Sequence, residues 1–217
     1  MNWLLDLLFP PKCPFCRRLL DSGMDLLCPK CQRDLPWTEG TPGEKSVEFL
    51  DTCVGPLWYK GDVRDSHHRY KFSGRRAYAG TYSLLMSQCA ADRLDGGFDV
   101  VCWAPLSRKR LRRRGYDQAQ LLAVGVAERL GLPAAPVLDK IRETPAQSGQ
   151  TDAAARRANV LGAYRVKPDK RIAGKRILLV DDVVTTGATL SECARVLRTA
   201  GAAQVCGLVL AVTAEKT

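Results

Sequence analysis

Along residues 51–217, short runs of β-branched and other apolar residues alternate with longer stretches whose apolar positions recur every three to four residues. The runs predict strands at 53–59, 99–104, 136–141, 176–181 and 205–212. The longer period predicts helices at 76–94, 118–130 and 188–200, the last closed by Gly201. Ile177-Leu178-Leu179-Val180 is apolar without alternation, as a strand covered on both faces must be. Strands alternating with helices give an α/β fold with a parallel sheet, whose ligands bind beyond the carboxyl ends of the strands. The pattern changes before residue 51. The segment 37–49 is polar, contains Gly40, Pro42 and Gly43, and reads as a linker. The expected organisation is a small module at 1–36, a linker at 37–50 and a large domain at 51–217.

Length and composition agree with one domain and an appendage. The chain has 217 residues, 46% hydrophobic and 26% charged, which is ordinary globular usage and excludes wholesale disorder. No stretch approaches the ~18 uninterrupted apolar residues of a membrane span. The opening Met1-Asn2-Trp3-Leu4-Leu5-Asp6-Leu7-Leu8-Phe9 is superficially like a signal sequence. It lacks a basic start, carries Asp6, and runs into Pro10-Pro11 without a small-residue cleavage site. The expectation is a cytoplasmic protein without a membrane span.

The module's chemistry lies in its cysteines. Cys13-Pro14-Phe15-Cys16 and Cys28-Pro29-Lys30-Cys31 are two Cys-x-x-Cys pairs, and two such pairs complete a tetrahedral four-thiolate site suited to zinc. Two disulfides or a redox pair are the alternatives; a reducing compartment disfavours the first, and the doubled motif exceeds what the second needs. Four thiolates leave no open coordination position, so the zinc expected here is structural. Cys53, Cys89, Cys102, Cys193 and Cys206 read as small buried hydrophobes. His67 and His68 sit between charged residues and read as a solvated pair.

Charge and one loop point to the ligand. The net charge is +10, and it is uneven: residues 1–50 hold six bases and seven acids, leaving 27 bases and 16 acids for the rest. Such a field attracts polyanions, although solubility alone would also explain it. In the segment 176–190 a buried strand ends in Asp181-Asp182, followed by Val183-Val184-Thr185-Thr186-Gly187-Ala188-Thr189 and a helix. Helix N-terminal amides favour a phosphate, threonine hydroxyls add donors, and Gly187 permits close backbone approach. With no lysine in the loop, it is not a nucleotide P-loop. The two acids would repel a phosphate but accept from sugar hydroxyls, so a ribose 5-phosphate satisfies both halves. A strand end with incidental acids is the plainer alternative.

These residues resemble the phosphoribosyl pyrophosphate (PRPP) signature of type I phosphoribosyltransferases. Trp58-Tyr59-Lys60-Gly61, Lys71-Phe72-Ser73-Gly74, Pro105-Leu106-Ser107, Arg114-Gly115-Tyr116-Asp117-Gln118, Gln147-Ser148-Gly149 and Arg156-Arg157-Ala158-Asn159-Val160 follow in the order of the competence protein F (ComF) family. The cysteine module precedes them in the same way, so the resemblance covers nearly the whole chain. It implies a type I phosphoribosyltransferase fold with an N-terminal four-cysteine, zinc-ribbon-like domain, a link to DNA uptake in natural transformation, and a reaction that is not settled. PRPP would be held with Mg²⁺ by Asp181, Asp182, Thr185, Thr186, Gly187, Ala188 and Thr189. Asp117 stands where the family usually has Asn, and Gln150 where an apolar residue is common. Asp117 would either weaken diphosphate binding or turn toward the neighbouring arginines.

Two further stretches bear on partners. Ser107, Arg108, Lys109, Arg112, Arg113 and Arg114 lie where the resemblance puts the diphosphate loop; they would bind diphosphate or nucleic acid, with Tyr116 available to stack on a base. A solvated basic loop is the alternative. The segment 142–157 resembles the mobile loop that closes over PRPP, with Arg142, Arg156 and Arg157 around it; a plain connection is the alternative. The functional expectation is a Mg-PRPP-binding protein of DNA uptake, a possible phosphoribosyltransferase with no visible base for an acceptor. The competing expectation is a non-catalytic single-stranded DNA-binding or PRPP-sensing protein assisting competence helicase or recombination proteins.

Overall fold

The computed structural model describes residues 10–20, 26–38, 44–144 and 153–214, the first four of the last stretch by backbone alone. The opening run 1–9, the linker centre 39–43, residues 145–152 of the expected lid and the Arg156 side chain lie outside the described residues. In chain order the elements are helix α1 (Pro29–Asp34), strands β1 (Thr52–Val54) and β2 (Leu57–Trp58), and helices α2 (Gly61–Phe72) and α3 (Tyr78–Arg93). Strand β3 (Val100–Trp103), helices α4 (Arg108–Arg114) and α5 (Gln118–Leu130), strand β4 (Leu138–Lys140) and helix α6 (Ala153–Val160) follow. Strands β5 (Tyr164–Val166) and β6 (Arg176–Val184), helix α7 (Ala188–Thr199) and strand β7 (Gln204–Val212) complete the fold.

Strand β6 is central because its sequence demands cover on both faces. It lies parallel between β3 and β7, with Leu178 opposite Val101 on one side and Cys206 on the other. β1 and β2 both pair with β7, giving the order β1-β7-β6-β3. Leu178 and Val180 pack with Tyr70, Tyr82, Met86, Leu122 and Val126 of α2, α3 and α5. Ile177 and Leu179 pack with Leu190, Cys193 and Leu197 of α7 and Tyr164 of β5. The two-residue repeat of the strand therefore puts consecutive residues into different cores.

The structure changes several expectations. The strand expected at 53–59 is broken: Pro56 has no N–H to give a ladder, and Gly55 lies so close to β7 that an added Cβ would be 2.9 Å from Val209 Cγ2. The strand expected at 136–141 shortens to β4 and leaves the main sheet, pairing antiparallel with β5. Pro133 and Pro136 interrupt the donors that an edge strand beside β3 needs, and a lone bridge from Ala134 to Val101 is what forms there. The run at 108–114 is a helix, not a loop, started by Ser107 as N-cap and stopped by Gly115 at φ 76°. Helix α2 has no counterpart among the expected elements.

The cysteine module is seated on α2 and α3. Cys13, Phe15, Leu27, Cys28, Cys31 and Leu35 share one buried cluster with Tyr70 and Tyr82. Further along, Trp37 bridges to Leu57 and Glu44 to Val54, and the Lys45 N–H donates to the Cys53 carbonyl at 2.9 Å. No helix among the described residues is long and apolar enough to cross a membrane.

Candidate functional site

The four module cysteines converge. Their sulfurs all lie within 4.8 Å of one another, the one such metal-ligand group found among the described residues. Zinc–thiolate bonds of about 2.3 Å set sulfur–sulfur edges of roughly 3.8 Å in a tetrahedron, so the donor set fits zinc. The first knuckle turns back on itself, with Cys13 N–H donating to Arg18 O at 2.8 Å and Arg17 N–H to Cys13 O at 2.9 Å. In the second, Cys28 is the N-cap of α1, and Pro29 opens the helix. The other five cysteines are buried. Burial pushes the Cys53 and Cys102 thiols up to about 12, which suits packing and not reactivity.

At the carboxyl end of β6 the chain builds the second site. Gly187 is the N-cap of α7 at φ 76°, and a Cβ there would stand 2.9 Å from Val47 Cγ2, so both backbone and space require glycine. First-turn amides of a helix have no acceptor within it. Asp181, Val183, Val184, Thr185, Gly187, Ala188, Thr189 and Leu190 line a pocket of about 30 Å³ at this turn. Thr186 stands between lining residues without lining the pocket itself, and its Oγ1 is buried without a hydrogen-bond partner. A buried hydroxyl left unpaired is uncommon and destabilising, and a ligand oxygen would satisfy it.

The adjacent acids are held in opposite states. Asp182, on the α2 side, is gripped by Lys71 Nζ at 2.9 Å from Oδ2 and 3.2 Å from Oδ1. His67 Nε2 stands 3.3 Å from Oδ2 at an angle poor for a hydrogen bond, while His67 Nδ1 meets the Tyr59 hydroxyl at 3.1 Å. Burial opposes ionisation of Asp182, but Lys71 and His67 overcome it and hold the carboxyl well below the usual range. Asp181 lies on the α7 side; burial, and then the charge on Asp182, push it up to about 8. Burial lowers His67 despite the neighbouring carboxylate. His67 is 3% exposed, which corrects its reading as half of a solvated pair; His68 is exposed, its ring tilted against Phe72 with centroids 4.7 Å apart.

The residues expected at the diphosphate loop divide into two sets. Ser107 is buried, caps α4 and donates to Glu143 Oε2 at 2.8 Å. Arg114 folds back, donating to Gln118 Oε1 at 2.8 Å with its guanidinium 5.3 Å from the centre of the Phe72 ring. Arg108, Lys109, Arg112 and Arg113 are exposed on α4. Asp117 does not pair with the neighbouring arginines. Its carboxylate accepts from Leu106 N–H at 2.8 Å and Gln120 N–H at 3.3 Å, tying the loop at 105–107 to the start of α5. Tyr116 is buried with its hydroxyl donating to Tyr70 O, so it offers no free face to a base.

Sequence reasoning missed the residues around these loops. Tyr59 and Lys71 lie in the quoted motifs, but nothing in their spacing shows that they converge through His67 on Asp182. Lys140 was missed as well. Its Nζ donates to the Tyr164 hydroxyl at 3.0 Å, close to Thr189 of the pocket. Burial, then the Arg110 charge, lowers the Lys140 ammonium to about 8.

Comparison with known proteins identifies both parts of the chain. The phosphoribosyl transferase domain profile matches residues 117–217, and the double zinc ribbon domain profile matches 4–42. Competence protein F of Haemophilus influenzae is 38% identical over 219 residues, covering 89% of this chain and 93% of that protein. DNA utilization protein YhgH of Salmonella typhimurium is 33% identical, covering 89% and 86%. Competence protein ComFC of Streptococcus pneumoniae is 31% identical, covering 86% and 88%. The allosteric regulatory enzyme of purine biosynthesis is 26% identical with a TM-score of 0.41, over 61% of this chain and 26% of that one. With a four-cysteine zinc ribbon ahead of a phosphoribosyltransferase fold, the chain belongs to the competence protein F family.

Proposed function

We propose that the chain binds PRPP, or a related ribose phosphate, at the turn between β6 and α7, and serves DNA uptake or utilization as its relatives' names suggest. The observation that carries this reading is the unpaired, buried Thr186 hydroxyl beside Gly187 and the first turn of α7. Residues 185–189 hold the 5-phosphate with amides and hydroxyls. Asp181, facing the same pocket, accepts from the ribose hydroxyls. Asp181 is the acid that lines the pocket and is available to Mg²⁺, which when bound offsets the charge of the diphosphate; Asp182 is turned to the α2 side and held by Lys71. The acceptor of any transfer is left open.

Thr186→Val separates ligand binding from folding. It removes an unpaired buried hydroxyl at nearly constant shape, so stability should stay equal or rise, while affinity for Mg-PRPP falls about tenfold, the worth of roughly one hydrogen bond. Calorimetry on parent and variant, with urea unfolding alongside, checks both. Equal affinity would remove the loop from the site, and no heat with the parent would end the PRPP reading.

A second reading, single-stranded DNA binding along α4, is favoured by the exposure of Arg108, Lys109, Arg112 and Arg113 on one short helix. It is compatible with the first, because Ser107 begins that helix where the family resemblance puts the diphosphate.

A further inference from the structure

Helix α2 makes two sets of contacts from neighbouring stripes. Ser66 Oγ donates to Pro14 O at 2.5 Å, and Arg69 Nη2 donates to Pro14 O at 2.9 Å and Phe15 O at 2.8 Å. Pro14 and Phe15 are the two residues between Cys13 and Cys16, so both carbonyls belong to the metal-binding turn. His67 and Lys71, one turn apart on the next stripe, face Asp182. The Phe15 ring lies 5.6 Å from Tyr82, which lies 5.3 Å from Tyr70 of α2, closing the contact.

We propose that Ser66 and Arg69 are positioning residues which, through α2, set the Asp182 carboxylate from the four-cysteine turn, making metal retention and order at the acidic pair one linked equilibrium. The thiolates hold the shape of a module too small for a core of its own. That shape presents the Pro14 and Phe15 carbonyls. Without it the Ser66 and Arg69 donors lose their acceptors, α2 loses its seat, and Lys71 and His67 leave Asp182. Linkage requires the converse: weakening the grip on Asp182 must weaken the hold on the metal by the same factor. The inference concerns the acidic pair whatever occupies the pocket, so its test needs no ribose phosphate.

The experiment measures the zinc affinity of the full-length protein by equilibrium competition with a colorimetric chelator. Asp182→Asn and Arg69→Met should bind zinc at least about fivefold more weakly, the lower end of ordinary coupling between sites. Arg69→Lys, which keeps one donor, should fall between them and the parent. Leu197→Ala, which loosens the α7 core, should bind zinc as the parent does and so separate the link from general destabilisation. Should Asp182→Asn not fold, Lys71→Gln tests the same grip. A second readout needs no variant: on stripping zinc, the ring nitrogen resonances of His67 should shift while amides of β6 and β7 stay protected from exchange. Equal zinc affinity in parent and grip variants, or His67 resonances unmoved by zinc removal, would overturn the proposal. So would a protein that purifies without metal yet has the same His67 resonances.

Discussion

Asp181 and Asp182 show how one peptide bond separates two environments. Asp182 meets Lys71 and His67, whereas Asp181 meets burial and a neighbouring negative charge. The consequence is a pH dependence with a definite sign. Unfolded, Asp181 loses its proton near pH 4; folded, it keeps it until about 8. Over that window the unfolded chain binds fewer protons at this position, so its contribution to stability is lost as pH rises. His67, lowered by burial, acts oppositely below its ordinary range, but it is common to parent and variant. The unfolding free energy of Asp181→Asn minus that of the parent should therefore grow from pH 5 to pH 8. Urea titrations at the two pH values check this, and a constant difference would mean that Asp181 is ionised in the fold. The adjacency of the two acids is plain in the sequence. Their opposite states are not, because Lys71 is 111 residues away from Asp182 in the chain.

At the scale of elements, what the sequence displays depends on where an element finds its partners. β6 and α7 are readable because apolar runs and a Gly-marked start are local signals. α2 hides its inner face: Val63, Ser66, His67 and Tyr70 are buried at helical spacing, but Ser66 and His67 are polar and meet Pro14, Tyr82, Tyr59 and Asp182 from elsewhere in the chain. α4 hides differently, because no residue of it is buried and only its caps mark it. Four exposed cations on so short a helix give the DNA reading a numerical form. Binding of oligo-dT should weaken with salt by about 0.7 log units per log unit for each phosphate neutralised. Arg112→Ala with Arg113→Ala should lower that slope by about 1.4. Fluorescence titrations at several salt concentrations measure it; an unchanged slope would place any DNA contact elsewhere.

For the molecule as a whole, the shared core of module and domain is the governing feature. Because Cys13, Phe15 and Cys31 share one buried cluster with Tyr70, Tyr82 and Leu178, the two parts are expected to unfold together. Calorimetry should show one transition with zinc bound, and chelation should lower its midpoint without splitting it. A separate low-temperature transition after chelation would show that the cluster is not cooperative. The pleat of β6 has a different consequence. Since alternate residues serve opposite layers, the count of residues from Ile177 to Asp182 acts as a frame. One residue inserted there would turn the charged acid toward the turn before α7 and hand the protonated one to Lys71, exchanging both environments at once. Drift in the length of this strand is thus forbidden by electrostatics as well as by packing, while insertions beyond its ends leave the frame untouched.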